Sequence, residues 1–306
     1  MSKNQKLRLI IVRALYWYAV ALKGSPPPAT LVLIHMARCK WIDATAWAPI
    51  TATDWSTVCT GLRDGVGTMP LEDWKNAITG LFERYAFGCE IAPQTKRKHY
   101  QFRGVLKADL TNDTLVTLSQ LGFRDVTPTH VRDFEYVYKD HDFFCSWDVW
   151  RPEYDKVRNS PRTWQIQLES MSRDDRTIEI IVDDKGNAGK TAWAMYQDYC
   201  HRCVYIPPLK RGLDLTACVL GKRTSDWYII DTPRSFEFTD DWACSIEQLK
   251  NGYVFDTRYS FRDKYLPVRP RVTILCNDLP DYEKYFSADR VSAMKITPEG
   301  YLWSVL

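Results

Sequence analysis

Thr177-Ile-Glu-Ile-Ile-Val-Asp-Asp-Lys-Gly-Asn-Ala-Gly-Lys-Thr191 is the stretch that decides the fold of the second half of this chain. Thr177 to Val182 reads as a strand, and Ala192 to Cys203, just after it, reads as a helix. Between them Gly186, Asn187, Ala188 and Gly189 form a loop that runs into Lys190 and Thr191. Strand, glycine-bearing loop, Lys-Thr and helix is the context a phosphate-binding loop requires. Glycines let backbone N–H groups approach phosphate oxygens, and a helix N-terminus adds partial positive charge. Lys190 would then reach the β- and γ-phosphates, and the Thr191 hydroxyl would sit on Mg²⁺. The usual loop opens on a glycine, but Asp184 stands there. An ordinary glycine-containing turn is the plainer reading of the same residues.

Moving outward, two further apolar runs end in polar groups. Trp227 to Ile230 ends in Asp231, and Val272 to Cys276 ends in Asn277. An acid at a strand tip commonly helps hold Mg²⁺ at such sites. Open α/β sheets bind ligands outside the carboxyl ends of their strands. An α/β domain over 164–306, with loop, acid and amide converging on one crevice, is therefore expected.

The first half reads differently. We expect a small α+β domain over 39–149, an antiparallel sheet with helices. Trp41 to Trp47 alternates like a strand, and Leu71 to Arg84 repeats like a helix. Tyr85 to Ile91 and Tyr100 to Leu106 read as paired strands around a polar turn, Pro93 to Lys98. Val131 to Lys139 reads as a helix. Prolines and charges over 150–163 suggest a linker. Residues 1–38 form an extension of unknown role, with Lys3, Lys6, Arg8 and Arg13 around an apolar stretch and three prolines at 26–28. Met36 is a rival start.

If the two strands pair, Glu90 faces His99 and Gln101, and His99 and Gln101 share a strand face. Carboxylate, imidazole and amide oxygen suit Mg²⁺ or Mn²⁺ with positions left for water or phosphate. The bland alternative is a solvated polar hairpin. Downstream, Tyr136 and Lys139 stand three apart, on one face of a helix. A tyrosine can attack a phosphodiester, although a free phenol is only about 0.1% ionised at pH 7, a deficit of about 4 kcal/mol. A nearby cation and a metal offset part of that. Tyr138 is a rival nucleophile with no lysine at the same spacing. Lys96, Arg97, Lys98, Arg103 and Lys107 would supply phosphate contacts, with Tyr100 and Phe102 stacking on unpaired bases.

Composition bounds these readings. The chain has 306 residues, 45% apolar and 26% charged, with a formal net charge of +3. That excludes a largely disordered chain, and any basic surface must be local. The longest uncharged apolar run near the start, Ala14 to Leu22, is far short of the roughly 20 residues that cross a bilayer. Nine scattered cysteines form no disulfide framework and favour a reducing compartment over secretion. Cys200 and Cys203 have CxxC spacing without a second pair to complete a zinc site.

The order of phosphate loop, run ending in acid and run ending in Asn resembles superfamily 3 helicases. Asp184-Lys-Gly-Asn-Ala-Gly-Lys-Thr191, Ile206-Pro-Pro208, Asp231-Thr-Pro-Arg234, Ser245-Ile-Glu-Gln-Leu-Lys-Asn-Gly252 and Asp256-Thr-Arg-Tyr259 look like the replication initiator (Rep) of circular single-stranded DNA viruses. An acid, then His-x-Gln, then Tyr-x-x-Lys resembles the HUH-type endonuclease domain of the same family. The resemblance runs from about Lys40 to the C-terminus. It implies a metal on Glu90, His99 and Gln101, a nucleophilic Tyr136, and ATP with Mg²⁺ on Lys190, Thr191 and Asp231, with Asn277 sensing the γ-phosphate. It further implies Arg290 as an arginine finger for a neighbouring subunit, and Lys250 in a DNA-gripping hairpin. Thr232 stands where many relatives carry a second acid.

The implied activity is nicking and rejoining of single-stranded origin DNA through a 5′-phosphotyrosine, with ATP-driven unwinding of duplex DNA. A homo-oligomeric ring, host replication proteins as partners, residence in the host nucleus and no membrane go with it. Two alternatives stand beside it. One is a P-loop ATPase whose first domain binds DNA without cutting; the other is a decayed copy acting in DNA binding or assembly.

Overall fold

The computed structural model describes residues 39–61, 67–139, 142–172, 174–232, 234–258 and 260–305. The extension over 1–38 lies outside them. The chain divides into two compact units, one ending at Trp147 and the other starting at Asp148.

The first unit is built on an antiparallel sheet. Its strands are β1 (Trp41–Trp47), β4 (Phe82–Ile91), β5 (Lys98–Leu106), β6 (Phe123–Pro128) and β7 (Phe143–Cys145), ordered β6-β1-β5-β4-β7. A small hairpin of β2 (Thr57–Thr60) and β3 (Gly67–Pro70) stands apart from it. Strand alternation divides the residues between the two faces. Ile42, Ala44 and Ala46 of β1, Tyr85, Phe87 and Cys89 of β4, and Tyr100 and Phe102 of β5 build one apolar core. Helix α1 (Leu71–Thr79) closes it with Trp74 and Ile78, and α2 (Asn112–Gln120) with Leu118. Trp74 is fully buried, donates to the Leu121 carbonyl at 2.8 Å and packs on Phe87, Tyr100, Phe102 and Phe123.

The helix expected over 71–84 stops at Thr79, because Phe82 is already a sheet residue opposite Leu106. The helix expected over 131–139 is only a 3₁₀ turn, Glu135–Tyr138. Thr129 and Asp133 explain the difference: their side chains accept the Val131 and Glu135 N–H groups at 3.2 and 3.1 Å, in competition with helical bonding.

The second unit is a mixed sheet between two layers of helices. Its strands are β8 (Ile178–Val182), β9 (Val204–Ile206), β10 (Trp227–Asp231), β13 (Arg271–Cys276), β14 (Val291–Ile296) and β15 (Leu302–Ser304). The order is β15-β14-β8-β13-β10-β9, with β15 alone antiparallel to its neighbour. Burial on both faces explains why β8, β10 and β13 read as near-continuous apolar runs. On one face α6 (Gly212–Gly221) and α7 (Asp240–Asn251) cover Ile180, Ile230 and Ile274. On the other, α4 (Thr163–Ser170) and α5 (Lys190–Tyr199) cover Ile181, Ile229 and Leu275. A hairpin of β11 (Tyr253–Asp256) and β12 (Arg262–Tyr265) follows α7.

The linker expected over 150–163 holds a helix, α3 (Pro152–Asn159). Pro152 suits a first helical turn, and Glu153 and Asp155 near the start with Arg158 near the end match the helix dipole. Helix α5 ends at Tyr199, earlier than the expected Cys203. Cys203 is fully buried and contacts the Ala194 carbonyl, as a packed thiol does.

Candidate functional site

In the first unit the functional candidates lie on the sheet face away from the aromatic core. Glu90 pairs in register with His99, and Gly88 with Gln101. The His99 Nε2 stands 3.7 Å from a Glu90 carboxylate oxygen. Glu90 Oε1 and His99 Nδ1 are buried with no hydrogen-bond partner. Gln101 donates its amide nitrogen to the Ala44 carbonyl at 3.3 Å, which turns its oxygen away from that bond. Orphaned buried acceptors of this kind fit a hard divalent cation.

The 3₁₀ turn lays Tyr136 and Lys139 over the same face. Lys139 Nζ is 3.5 Å from Glu90 Oε1 and 3.8 Å from the centre of the Tyr136 ring. Gly88 permits this approach: a Cβ there would come within 2.3 Å of the Val137 carbonyl oxygen. A second cation, Arg103, lies 5.6 Å from the ring. Arg103 is held by both Asp43 carboxylate oxygens at 2.6 and 2.9 Å, and donates to the Asp133 carbonyl at the start of the turn. Tyr136 is 40% exposed. Tyr138 is turned inward towards Cys145, and burial first, then that thiol, pushes its phenol well above the ordinary value. The rival nucleophile is thereby removed.

Most residues expected to contact nucleic acid already have partners within the unit. Lys96 is exposed in the turn, but Arg97 donates to the Ala48 carbonyl and lies over Trp47, and Lys98 donates to the Thr53 carbonyl. Both clamp the loop after β1. Arg103 is committed to Asp43, and Lys107 donates to the Thr79 carbonyl. Tyr100 and Phe102 are fully buried and offer no stacking surface.

In the second unit β8, β13 and β10 are neighbours and run parallel, so their carboxyl ends open on one cavity of about 350 Å³. Gly186, Asn187, Gly189, Lys190, Thr191, Asp231 and Asn277 line it, as the sequence suggests. Gly186, Asn187 and Gly189 all take positive φ, 75°, 65° and 73°, which is where glycine is favoured. Ala188 is buried, with its carbonyl bonded to the Trp164 indole at 3.2 Å. Thr191 donates to Asp231 at 2.7 Å. Tyr205 also donates to Asp231 at 3.3 Å; burial, then that carboxylate, raises its phenol. Asn277 donates to the Asp183 carbonyl at 2.9 Å. Thr232 donates its N–H and hydroxyl to the Leu275 carbonyl, stapling β10 to β13.

Three cavity features escaped the sequence reading. The Asp183 carboxylate accepts from Lys190 Nζ and the Ala188 N–H, each at 3.0 Å. The Arg234 guanidinium lies beside Gly186, 3.1 Å from where a Cβ would stand. Arg162 bonds the Asn187 carbonyl at 2.8 Å. Asp183 had a signal, as the last residue before the loop, and Arg234 stood in the run Asp231-Thr-Pro-Arg234, while Arg162 is brought in only by folding. Asp184, at the usual glycine position, turns outward to Lys295 at 2.7 Å.

One expectation fails here. Lys250 lies on α7, 1% exposed, with its ammonium bonded to the carbonyls of Asp174 and Pro270 at 2.7 and 3.0 Å. It cannot grip DNA. Burial also lowers its pKa. Arg290 pairs at 3.0 Å with Glu247 of its own chain, and its Nε and one terminal nitrogen are buried without a hydrogen bond.

No family model matches the chain, and no curated protein matches it. Among the described residues no helix is long and apolar enough to cross a membrane.

Proposed function

We propose that this chain is a rolling-circle DNA replication initiator of the Rep type, an HUH-like endonuclease unit followed by a superfamily 3-like ATPase unit. The observation that carries the reading is the meeting of Tyr136, Lys139 and Glu90 on one sheet face, although Glu90 is far from the other two in sequence. A strand of DNA laid on this face would meet an exposed phenol with an ammonium beside its ring. The Tyr136 oxygen would attack phosphorus, and the 3′ oxygen would leave with a proton. One phosphodiester replaces another, so the same face can rejoin the strand. Glu90, His99 and Gln101 would hold a divalent cation, which supplies polarisation of the scissile phosphate. Lys139 would stabilise charge on the phenolate or on the phosphate.

The second unit supports ATP hydrolysis through its strand order and cavity. The loop after β8 presents amides and Lys190, Thr191 with Asp231 offers oxygens for Mg²⁺, and Asn277 sits on the strand between. Unwinding, a ring assembly, host partners and nuclear residence belong to the same reading.

The test is incubation with a single-stranded origin library and Mn²⁺, then mass spectrometry for a nucleotide on tyrosine. Tyr136→Phe should lose the adduct and keep ATP hydrolysis; Lys190→Ala should do the reverse. A Tyr136→Phe protein that still forms the adduct would sink the assignment.

A further inference from the structure

Two of the donors that a glycine-bearing loop offers to phosphate are already in use. Asp183 Oδ2 accepts the Ala188 N–H and the Lys190 ammonium, each at 3.0 Å. Both side chains are buried, 5% exposed for Asp183 and 8% for Lys190. A carboxylate and a phosphate satisfy such donors in the same way, as anionic oxygen acceptors. The Asp183 backbone is pinned as well. Its N–H donates to the Cys276 carbonyl at 3.0 Å, and its own carbonyl accepts Asn277 at 2.9 Å and the Gly186 N–H at 3.1 Å. The carboxylate can therefore turn about its side-chain bonds but cannot withdraw with the chain.

We propose that Asp183 is a built-in anion of the cradle, and that it sets how tightly phosphate-bearing ligands bind there. The inference rests on the reading of 186–191 as a nucleotide loop. An incoming phosphate meets a Lys190 whose charge is already matched, and a like charge beside it. It must take Lys190 at the carboxylate's expense. Asp231 adds a second carboxylate to the cavity, held by Thr191 and Tyr205. Arg234 beside Gly186 is the cation with no ion-pair or hydrogen-bond partner among the described residues, so it faces the entering phosphate first. The site thus favours ligands with several phosphates and a metal over a single phosphate.

Calorimetric titration at fixed ionic strength with Mg²⁺ tests this, using ATP, pyrophosphate and adenosine as probes. Asp183→Asn keeps an acceptor oxygen for Ala188 and Lys190 but removes the charge. It should bind ATP and pyrophosphate about tenfold tighter than the parent, since juxtaposed like charges weaken binding by at least that much. Its response to adenosine should not change. Asp183→Ser, also neutral with an oxygen, gives the same comparison should the asparagine variant fail to fold. Equal or weaker binding of ATP and pyrophosphate by the neutral variants, with Lys190→Ala abolishing it, overturns the proposal while leaving the nucleotide site standing. If the parent, the neutral variants and Lys190→Ala all bind alike, the nucleotide reading itself is wrong and the inference falls with it.

Discussion

Two tyrosines two positions apart, Tyr136 and Tyr138, end in opposite circumstances. Tyr136 lies outside with Lys139 over its ring, and Tyr138 packs against Phe143 and Cys145. A 3₁₀ turn has about three residues per turn, so neighbours two apart diverge while Tyr136 and Lys139 still meet. Tyr138→Phe should leave adduct formation within about twofold of the parent and change stability by no more than about 1 kcal/mol, measured by origin cleavage and urea unfolding. Gly88→Ala is the harsher change, because the Val137 carbonyl blocks any Cβ. It should destabilise by roughly 1–3 kcal/mol and cut adduct yield at least tenfold, by the same two assays. A glycine inside a strand pattern signals close backbone approach, so this contact was open to sequence reading. The Asp43–Arg103 pair was not, because nothing local links strands paired only after folding.

At the level of elements, Lys250 shows how far segment position misleads. Its place in the chain resembles that of a DNA-gripping lysine, yet α7 buries it to tie the carbonyls of Asp174 and Pro270. Lys250→Met should cost about 3 kcal/mol or more by unpairing two buried carbonyls, while leaving the salt dependence of DNA binding unchanged in fluorescence anisotropy. The hairpin β11–β12 instead presents Phe261 and Tyr265 outward, 63% and 73% exposed, and Tyr253 stacks on Tyr265. Its turn end is anchored at Asp256, whose carboxyl is held well below the usual range by Arg258 first and Arg262 after it. A folded value below the unfolded one means this anchoring is complete above the ordinary carboxylate pKa of about 4 and is lost as pH falls through the lowered value. Amide exchange in Val254 and Phe255 should therefore gain protection between strong acid and pH 5, then level off. Strand β1 was readable by its alternation, β4 and β5 by the polar turn between them, and β8, β10 and β13 as short apolar runs. The short edge and hairpin strands carried no such signal. The ends of α1 and α5 and the helix α3 were not readable either, since sheet pairing, capping and a single proline decide them.

For the whole molecule, each unit carries its own buried clusters, so a chain cut to 148–306 should stay folded and keep ATP hydrolysis, checked by circular dichroism and phosphate release. None of the nine cysteines is in a disulfide, and Cys244 is the exposed one. Burial pushes Cys89 and Cys276 up to about 12. Native protein should therefore label fastest at Cys244 with a disulfide reagent, more slowly at the half-buried Cys200 and Cys218, and at the six buried thiols only on unfolding. Strand order could not be read from sequence: β9 lies at the far edge and β14 on the other side of β8, an arrangement set by which helix covers which face. The three polar strand ends were legible because parallel neighbours must open in the same direction.

The turn bearing Tyr136 is seated on the sheet by its backbone over Gly88, by Val137 in an apolar cluster and by the Arg103 bond to the Asp133 carbonyl. If a long nucleic acid hangs from that phenol, any tug on it runs along a load path of four residues into that seat. The fold has placed its mooring point on a snug fit, one apolar cluster and a few polar contacts rather than on strand pairing, so tension should free the tether from its seat before it tears the sheet.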